Sequence, residues 1–177
     1  MDRSICGYIG AARFANARAD HFEDTVQRVI DASKWRPEEK IRGLRRKELR
    51  IGGKSISDID ALGTRGKSII LVSCKSLVYS SEYDIGDYRT VRNAASTVVD
   101  AVSRWQGIID NIKANPVGDN FDFSGFDDFV SVVCTPYPAY VPLGLATQEL
   151  RPGLRAAVSE EELGLWLNSS ASGRNLI

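Results

Sequence analysis

The sequence has few of the residues that build covalent or metal-bound scaffolds, with three cysteines and one histidine in 177 residues. Cys6, Cys74 and Cys134 are widely spaced, odd in number, and form no Cys-x-x-Cys pair. This pattern argues against a disulfide framework and a zinc site, and it is typical of proteins in a reducing compartment. We therefore predict a cytoplasmic protein.

Long apolar runs and an excess of one charge sign are also missing. The longest apolar stretches have the length of strands, and the first residues lack the basic and apolar regions of a signal peptide, so we expect no membrane partner. The 23 basic and 23 acidic side chains leave no net charge to attract polyanions. With 43% hydrophobic residues, the composition predicts an ordinary globular chain with a substantial core.

The basic residues are unevenly distributed. Nine basic and three acidic residues lie from Lys34 to Lys54, a local excess of six positive charges. Such a segment attracts phosphate groups, although a solvated surface with no partner is the commoner case. The candidate nucleic-acid-binding residues lie here and at the start of a later helix: Arg42, Arg45, Arg46, Lys47, Arg50, Lys54, Arg89 and Arg92.

The spacing of apolar residues predicts an α/β domain with the element order α-β-β-β-α-β. The predicted helices are 19–33 and 87–114, and the predicted strands are 44–51, 54–62, 68–76 and 129–134. The second helix is long enough to cross the sheet, so the strand after it should run parallel to the strand before it. The expected result is a mixed sheet flanked by helices.

The ends of the chain differ from its centre. We predict an N-terminal extension over 1–18, one domain over 19–167 and a flexible tail over 168–177. Near the end of the domain, 154–158 is a further strand candidate. Ser159 and Glu162 then match a Ser-x-x-Glu capping box, which predicts the start of a short helix.

A hairpin in 57–76 is predicted to gather polar side chains. Gly66 suits the first central position of a two-residue type II′ turn, which pairs residues whose numbers add up to 133. Asp60 then faces Ser73 and Asp58 faces Lys75, so these four side chains share one face of the sheet. The other face, beneath a helix, would receive apolar side chains: Ile59, Ile70, Val72 and Cys74.

Two carboxylates beside a lysine permit two interpretations. Asp58 and Asp60 could share a hard cation such as Mg²⁺ while Lys75 stabilises a phosphoryl oxygen, an arrangement suited to cutting a phosphodiester. Alternatively, Asp58 and Lys75 form an ordinary surface ion pair. A hydrolase using Ser73 and Lys75 is disfavoured because no strained Gly-x-Ser-x-Gly turn surrounds the serine.

Over about 19–135, the chain resembles the PD-(D/E)xK nucleases of the restriction-endonuclease-like fold. The likeness is greatest to Mrr-like proteins and to nuclease domains of CRISPR-associated effectors. It depends on the order of elements, a helix with Phe-Glu-x-x-Val around Glu23, a strand with Asp60, and a strand ending in Ser73-Cys74-Lys75.

This resemblance implies a function and a set of residue roles. It implies Mg²⁺- or Mn²⁺-dependent cleavage of nucleic acid, DNA more than RNA, by a homodimer or a module of a larger defence or repair protein. The implied catalytic residues are Asp60, Lys75, Glu23 and Ser73. The implied metal ligands are Asp60, Asp58, Glu23 and the backbone carbonyl of Cys74.

Ser73 departs from the family pattern because it stands where relatives have a second acid. Asp58 on the same face, or Glu23 from the helix, could supply the missing negative charge. The alternative is a nuclease-fold module without catalytic activity, which binds nucleic acid or a protein partner.

Overall fold

The computed structural model describes residues 4–78 and 80–169, with side chains from Phe14 onward. The helices are α1 (Ser4–Asp31), α2 (Glu39–Arg42), α3 (Ser81–Asp84), α4 (Tyr88–Ala114) and α5 (Glu160–Ser169). The strands are β1 (Leu49–Ile51), β2 (Lys54–Ser57), β3 (Ala61–Arg65), β4 (Ser68–Cys74), β5 (Asp128–Thr135), β6 (Glu149–Arg151), β7 (Leu154–Arg155) and β8 (Ala157–Ser159). The predicted mixed α/β class is confirmed.

The central sheet has the strand order β3-β4-β5-β8. Strands β3 and β4 form an antiparallel hairpin that pairs Ala61 with Val72 and Arg65 with Ser68, as the predicted register requires. Strand β5 runs parallel to β4, and β8 runs parallel to β5. The helix α4 therefore connects two parallel neighbours, which confirms the predicted crossover.

The strand predicted over 54–62 is interrupted in the structure. Strand β2 ends at Ser57 and pairs only with β1, whereas β3 begins at Ala61. The backbone between them bonds elsewhere, since the Arg46 amide donates to the Ile59 carbonyl at 2.9 Å. Among the described residues, four strands therefore precede α4 instead of three, and the predicted strand 44–51 is reduced to β1.

Because of this interruption, the prediction that Ile59 shares a sheet face with Ile70, Val72 and Cys74 is wrong. Ile70, Val72 and Cys74 pack beneath α1 as expected. Ile59 instead belongs to the apolar cluster on the α4 face, with Leu62 and others. The strict alternation of sides holds only within a paired strand, and residue 59 lies outside the ladder.

Two helices begin earlier or end later than predicted. Helix α1 starts at Ser4, so most of the predicted extension continues the helix, and Phe14 on it is 79% exposed. The predicted start lies near the beginning of the face that α1 packs on the sheet, which starts at Phe22. Helix α5 ends at Ser169, and the remaining predicted tail lies outside the described residues. No helix among those described is both long and apolar enough to cross a membrane.

The helices cover both faces of the sheet. Helices α1 and α5 pack on one face and α4 packs on the other. The Trp105 indole on α4 donates to the Leu71 carbonyl of β4 at 3.1 Å, which fixes this helix on the central hairpin. The predicted capping box starts α5, because Ser159 Oγ accepts from the Glu162 amide and Glu162 Oε2 accepts from the Ser159 amide.

The buried Gln27 of α1 closes the free edge of β3. Its side-chain oxygen accepts from the Leu62 amide, and its side-chain nitrogen donates to the Leu62 carbonyl, both at 3.0 Å. An edge strand otherwise leaves such groups without partners. This contact fixes the position of α1 along β3, close to Asp60.

We expect Gly63→Ala to destabilise the fold, because Gly63 of β3 packs closely against Ile30 of α1 and the backbone of Trp35. An added Cβ would lie 2.6 Å from both Ile30 Cγ2 and the Trp35 carbonyl oxygen. Overpacking of this kind costs about 1–3 kcal/mol in the free energy of unfolding, measurable by urea denaturation. The control is Gly107→Ala in α4, where an added Cβ meets nothing within 4 Å. That change should stabilise the protein by about 0.5–1 kcal/mol, and equal losses in both variants would contradict this packing.

Candidate active site

Asp60 lies at the junction between the end of the ladder and the loop before it. Its Oδ2 accepts a hydrogen bond from the Cys74 amide at 2.6 Å and one from the Ser73 hydroxyl at 3.4 Å. Strand β3 pairs with β4 only as far as Val72, so the Cys74 amide has no backbone partner on this side among the described residues. The Asp60 carboxylate accepts its hydrogen bond instead. This confirms the predicted nearness of Asp60 and Ser73, through their side chains.

Burial raises the pKa of Asp60 to about 6. The hydrogen bond from the Cys74 amide and the charge of Lys75 act in the opposite direction, while repulsion from Glu23 and Asp58 adds to the increase. A half-buried carboxylate beside two further acids gains by binding a cation, because the cation offsets both desolvation and repulsion.

An open cavity of about 530 Å³ lies on the α4 side of this junction. Four of its lining residues are the polar set predicted to share one face of the hairpin: Asp58, Asp60, Ser73 and Lys75. The opposite wall is formed by α4. The cavity is thus bounded by the hairpin end on one side and by a helix on the other.

Lys75 lines this cavity without an ion-pair partner among the described residues. The alternative of a surface pair between Asp58 and Lys75 is therefore not formed. Its backbone is held in the sheet, since the Lys75 amide donates to the Cys134 carbonyl at 2.8 Å. A lysine anchored in this way presents an ammonium group that an anionic ligand could neutralise.

Glu23 lies near Asp60 but is already paired. It is close enough to raise the pKa of Asp60, while its Oε2 accepts from Arg46 Nε at 2.7 Å. It does not line the cavity. Arg46 holds one of the two carboxylate oxygens of Glu23, so the other oxygen is the one left to bind a cation beside Asp60.

Cys74 contributes its backbone to the site and its side chain to the core. Its thiol is buried beneath α1, and burial raises the thiol pKa well above the usual value, so the sulfur stays neutral. The amide points toward Asp60. A residue in an antiparallel strand directs its carbonyl to the same neighbour as its amide, which places the Cys74 carbonyl on the Asp60 side.

Acidic side chains pair with four of the six predicted binding residues in the basic segment. Arg42 pairs with Asp31, and Arg50 pairs with Glu48. Arg45 and Arg46 both reach acids of α1, with Asp24 shared between them. The local excess of positive charge is therefore much smaller in the folded chain than in the linear sequence.

The remaining predicted basic residues are separated. Lys47 and Lys54 are exposed and have no ion pair within the described ranges. Arg89 and Arg92 lie on the first turns of α4, where Arg92 is 5.8 Å from the centre of the Tyr88 ring. The side chain of Arg45 reaches the hairpin junction, because its Nε donates to the Asp60 carbonyl at 2.7 Å.

The sequence interpretation missed the residues that α4 contributes to the cavity. Asp100 and Arg104 line the wall opposite Asp60 and Lys75, and Thr97 lies beside them. Asp100 and Arg104 are four positions apart, which places them on one side of the helix. The same spacing occurs on any exposed helix face, so only the packing of α4 on the hairpin distinguishes them.

The donors around Asp60 suit a hard cation but do not enclose one. Carboxylate, hydroxyl and carbonyl oxygens are the ligands that Mg²⁺ prefers. In the described part of the chain, no three acidic, histidine or cysteine side chains converge tightly enough to form a closed metal cage. Mg²⁺ commonly uses one or two carboxylates and keeps several waters, so Asp60 with Asp58 fits this open mode.

Searches of protein-family models, curated proteins and solved structures found no match to this chain.

Proposed function

We propose that this chain is a Mg²⁺- or Mn²⁺-dependent nuclease that hydrolyses phosphodiesters in nucleic acid, with DNA the preferred substrate. The fold that fits this proposal is the restriction-endonuclease-like core, with Asp60 and Lys75 as its catalytic pair. The observation that carries it is one cavity that holds both a half-buried Asp60 of raised pKa and a Lys75 that pairs with no acid in the described part of the chain. Groups of perturbed pKa in a cleft are typical of functional sites.

The residues of the cavity would have two roles, which are binding the metal ion and stabilising the negative charge of the phosphate. Asp60, Asp58 and the Cys74 carbonyl would hold a divalent cation, which supplies a polarised phosphoryl oxygen and an acidified water. Lys75 places a positive charge where negative charge develops on the phosphate. Arg104 from α4 offers a second cationic contact to the same phosphate.

In the reaction, a water oxygen forms a bond to phosphorus and loses a proton. The bond from phosphorus to the leaving ester oxygen breaks, and that oxygen takes up a proton. Charge accumulates on the two non-bridging oxygens meanwhile. A preorganised ammonium such as that of Lys75 stabilises this charge more than the charge of the ground state, which lowers the barrier.

A second candidate function is binding without cleavage. Two observations favour it, because Ser73 brings a neutral hydroxyl to the position of an acid and Arg46 already offsets the charge of Glu23. The module would then retain its cavity as a phosphate-binding site. Cleavage assays separate the two functions.

The proposed function is tested by cleavage of plasmid DNA, single-stranded DNA and RNA in Mg²⁺, in Mn²⁺ and in EDTA. We expect a metal-dependent loss of substrate with the parent protein and none with Asp60→Ala. The matched control is Asp110→Ala, an exposed acid on α4 outside the cavity, which should cleave like the parent. Absence of cleavage under every condition would favour the binding module.

We expect Ser73→Glu to increase the response of the protein to Mg²⁺. The new carboxylate lies beside Asp60 and replaces a neutral oxygen, so a bound cation should be held more tightly. Without a cation, the change adds repulsion between the new carboxylate and Asp60 and should cost on the order of 1 kcal/mol in the free energy of unfolding. Thermal unfolding with and without Mg²⁺ measures both effects, with Ser73→Gln as the control of similar size. An equal metal response in both variants would argue against a cation at Asp60.

A further inference from the structure

A second cavity, of about 670 Å³, lies along α4 beside the proposed active site. Its lining includes Tyr88, Arg92 and Tyr140, and Asp100 lines both cavities. Tyr88 is 76% exposed and Tyr140 is 70% exposed. We call this surface, defined by Tyr88, Arg92 and Tyr140, the tyrosine groove.

One ring of the tyrosine groove is held in place by the core. Tyr140 stacks on the buried Tyr83 with ring centres 5.6 Å apart, and its amide donates to the Tyr83 hydroxyl at 2.9 Å. The other ring, Tyr88, lies 5.8 Å from the Arg92 guanidinium. The groove therefore presents two aromatic rings and a cation, and the buried Tyr83 holds one of these rings in place.

A single row of α4 side chains joins the two cavities. The row advances by four residues at each step, and every member lines one cavity or both: Tyr88, Arg92, Ser96, Asp100, Arg104 and Ile108. Such a row forms a ridge inclined to the helix axis. Arg92 and Arg104 are separated by about 18 Å along the helix. A flexible chain that occupies the proposed active site can therefore continue along α4 into the tyrosine groove.

We propose that the tyrosine groove binds an unpaired nucleobase, and that the substrate of the neighbouring cavity is single-stranded nucleic acid. The inference rests on the proposed function for its assignment of the phosphate to the Asp60 cavity. Proteins that bind single strands combine aromatic platforms for the bases with cations for the backbone. Tyr88 and Tyr140 supply the platforms, and Arg92 and Arg104 supply the cations. A paired base within a duplex cannot offer its face to either ring.

The test measures binding by fluorescence anisotropy in EDTA, so that cleavage does not contribute. The probes are a single-stranded oligodeoxynucleotide, the same strand with abasic sites, and its duplex. We expect the intact single strand to bind about tenfold more tightly than the abasic strand, which carries the same phosphates. Tyr88→Ala and Tyr140→Ala should each remove most of this difference and leave the affinity for the abasic strand unchanged. The control is Ile85→Ala, which is 82% exposed and lies outside the groove.

Each outcome has a defined meaning. Equal affinity for intact and abasic strands, or tighter binding of the duplex, overturns the groove as a base site. A dimer in sedimentation that Tyr140→Ala dissociates also overturns it, because a second copy then covers the groove. Base-dependent binding without any metal-dependent cleavage upholds the groove and contradicts the proposed hydrolysis. Metal-dependent cleavage that neither tyrosine variant changes, with equal rates on intact and abasic strands, upholds hydrolysis and overturns the groove.

Discussion

Replacing Asp60 by asparagine is expected to stabilise the protein at neutral pH in the absence of divalent ions. The pKa of Asp60 is about 6 in the folded chain, against an ordinary value of 3.8. At pH 7.5 the folded state must hold a half-buried negative charge that the unfolded state exposes to water. The difference of about two pKa units corresponds to at most about 3 kcal/mol in the free energy of unfolding. Asparagine removes the charge and keeps an oxygen that accepts from the Cys74 amide.

The stability gain from Asp60→Asn should depend on pH in a defined direction. Because the folded pKa is the higher one, the parent loses stability as pH rises from about 3.8 to about 6. The gain from Asp60→Asn should therefore be absent near pH 3.5 and complete above pH 7. Urea denaturation across this range measures it, with Asp110→Asn as an exposed control that should change stability by less than about 0.5 kcal/mol. A loss of stability at neutral pH would contradict the burial of an ionised Asp60.

Replacing Lys75 by methionine is expected to lower the rate of metal-dependent cleavage by a factor on the order of 10²–10³. Methionine keeps an unbranched side chain of similar reach and removes only the ammonium group. Substrate affinity should fall less than turnover, because the charge acts mainly on the negative charge that develops in the transition state. Single-turnover kinetics at saturating protein measure the chemical step.

The control for this variant is Lys67→Met. Lys67 lies in the turn between β3 and β4, at the other end of the hairpin, and pairs with Asp127 at 2.8 Å. Its loss should leave cleavage within about twofold of the parent, since an exposed pair contributes little. Equal losses from both lysines would show that general positive charge, and not the placement of Lys75, supports cleavage.

The register of the hairpin could be predicted because local chemistry determines it. A two-residue turn with Gly66 at a positive φ of 59° fixes the pairing of residues 61–65 with residues 68–72. The approach of Asp60 to Ser73 follows from that pairing. The crossover of α4 could likewise be predicted, because its apolar stripe and its length leave few other connections.

The end of the ladder could not be predicted in the same way. Whether residues 58–60 pair with β4 depends on the competing bonds from Arg45 and Arg46 to the backbone of 59–60. These are contacts between segments, and the spacing of apolar residues carries no information about them. The position of Ile59 was predicted wrongly for this reason.

Ion pairs between residues that are distant in sequence also could not be predicted from the sequence pattern. Arg42, Arg45 and Arg46 lie in a segment rich in basic residues, yet each pairs with an acid of α1 in the fold. Asp100 and Arg104 show the reverse case, because they resemble exposed helix residues until α4 packs on the hairpin. Both errors come from counting charges before tertiary contacts are known.

A divalent cation at Asp60 is the claim on which the proposed hydrolysis depends most directly. The decisive measurement is an NMR titration of the Asp60 side-chain carboxyl carbon, with and without saturating Mg²⁺. Without the ion, the pKa should lie near 6, as burial dictates. With the ion, it should fall below its ordinary value of 3.8, because the cation favours the ionised carboxylate. A pKa that stays near 6 at saturating Mg²⁺, in a protein whose Asp60 resonance does not shift, would contradict a metal site there.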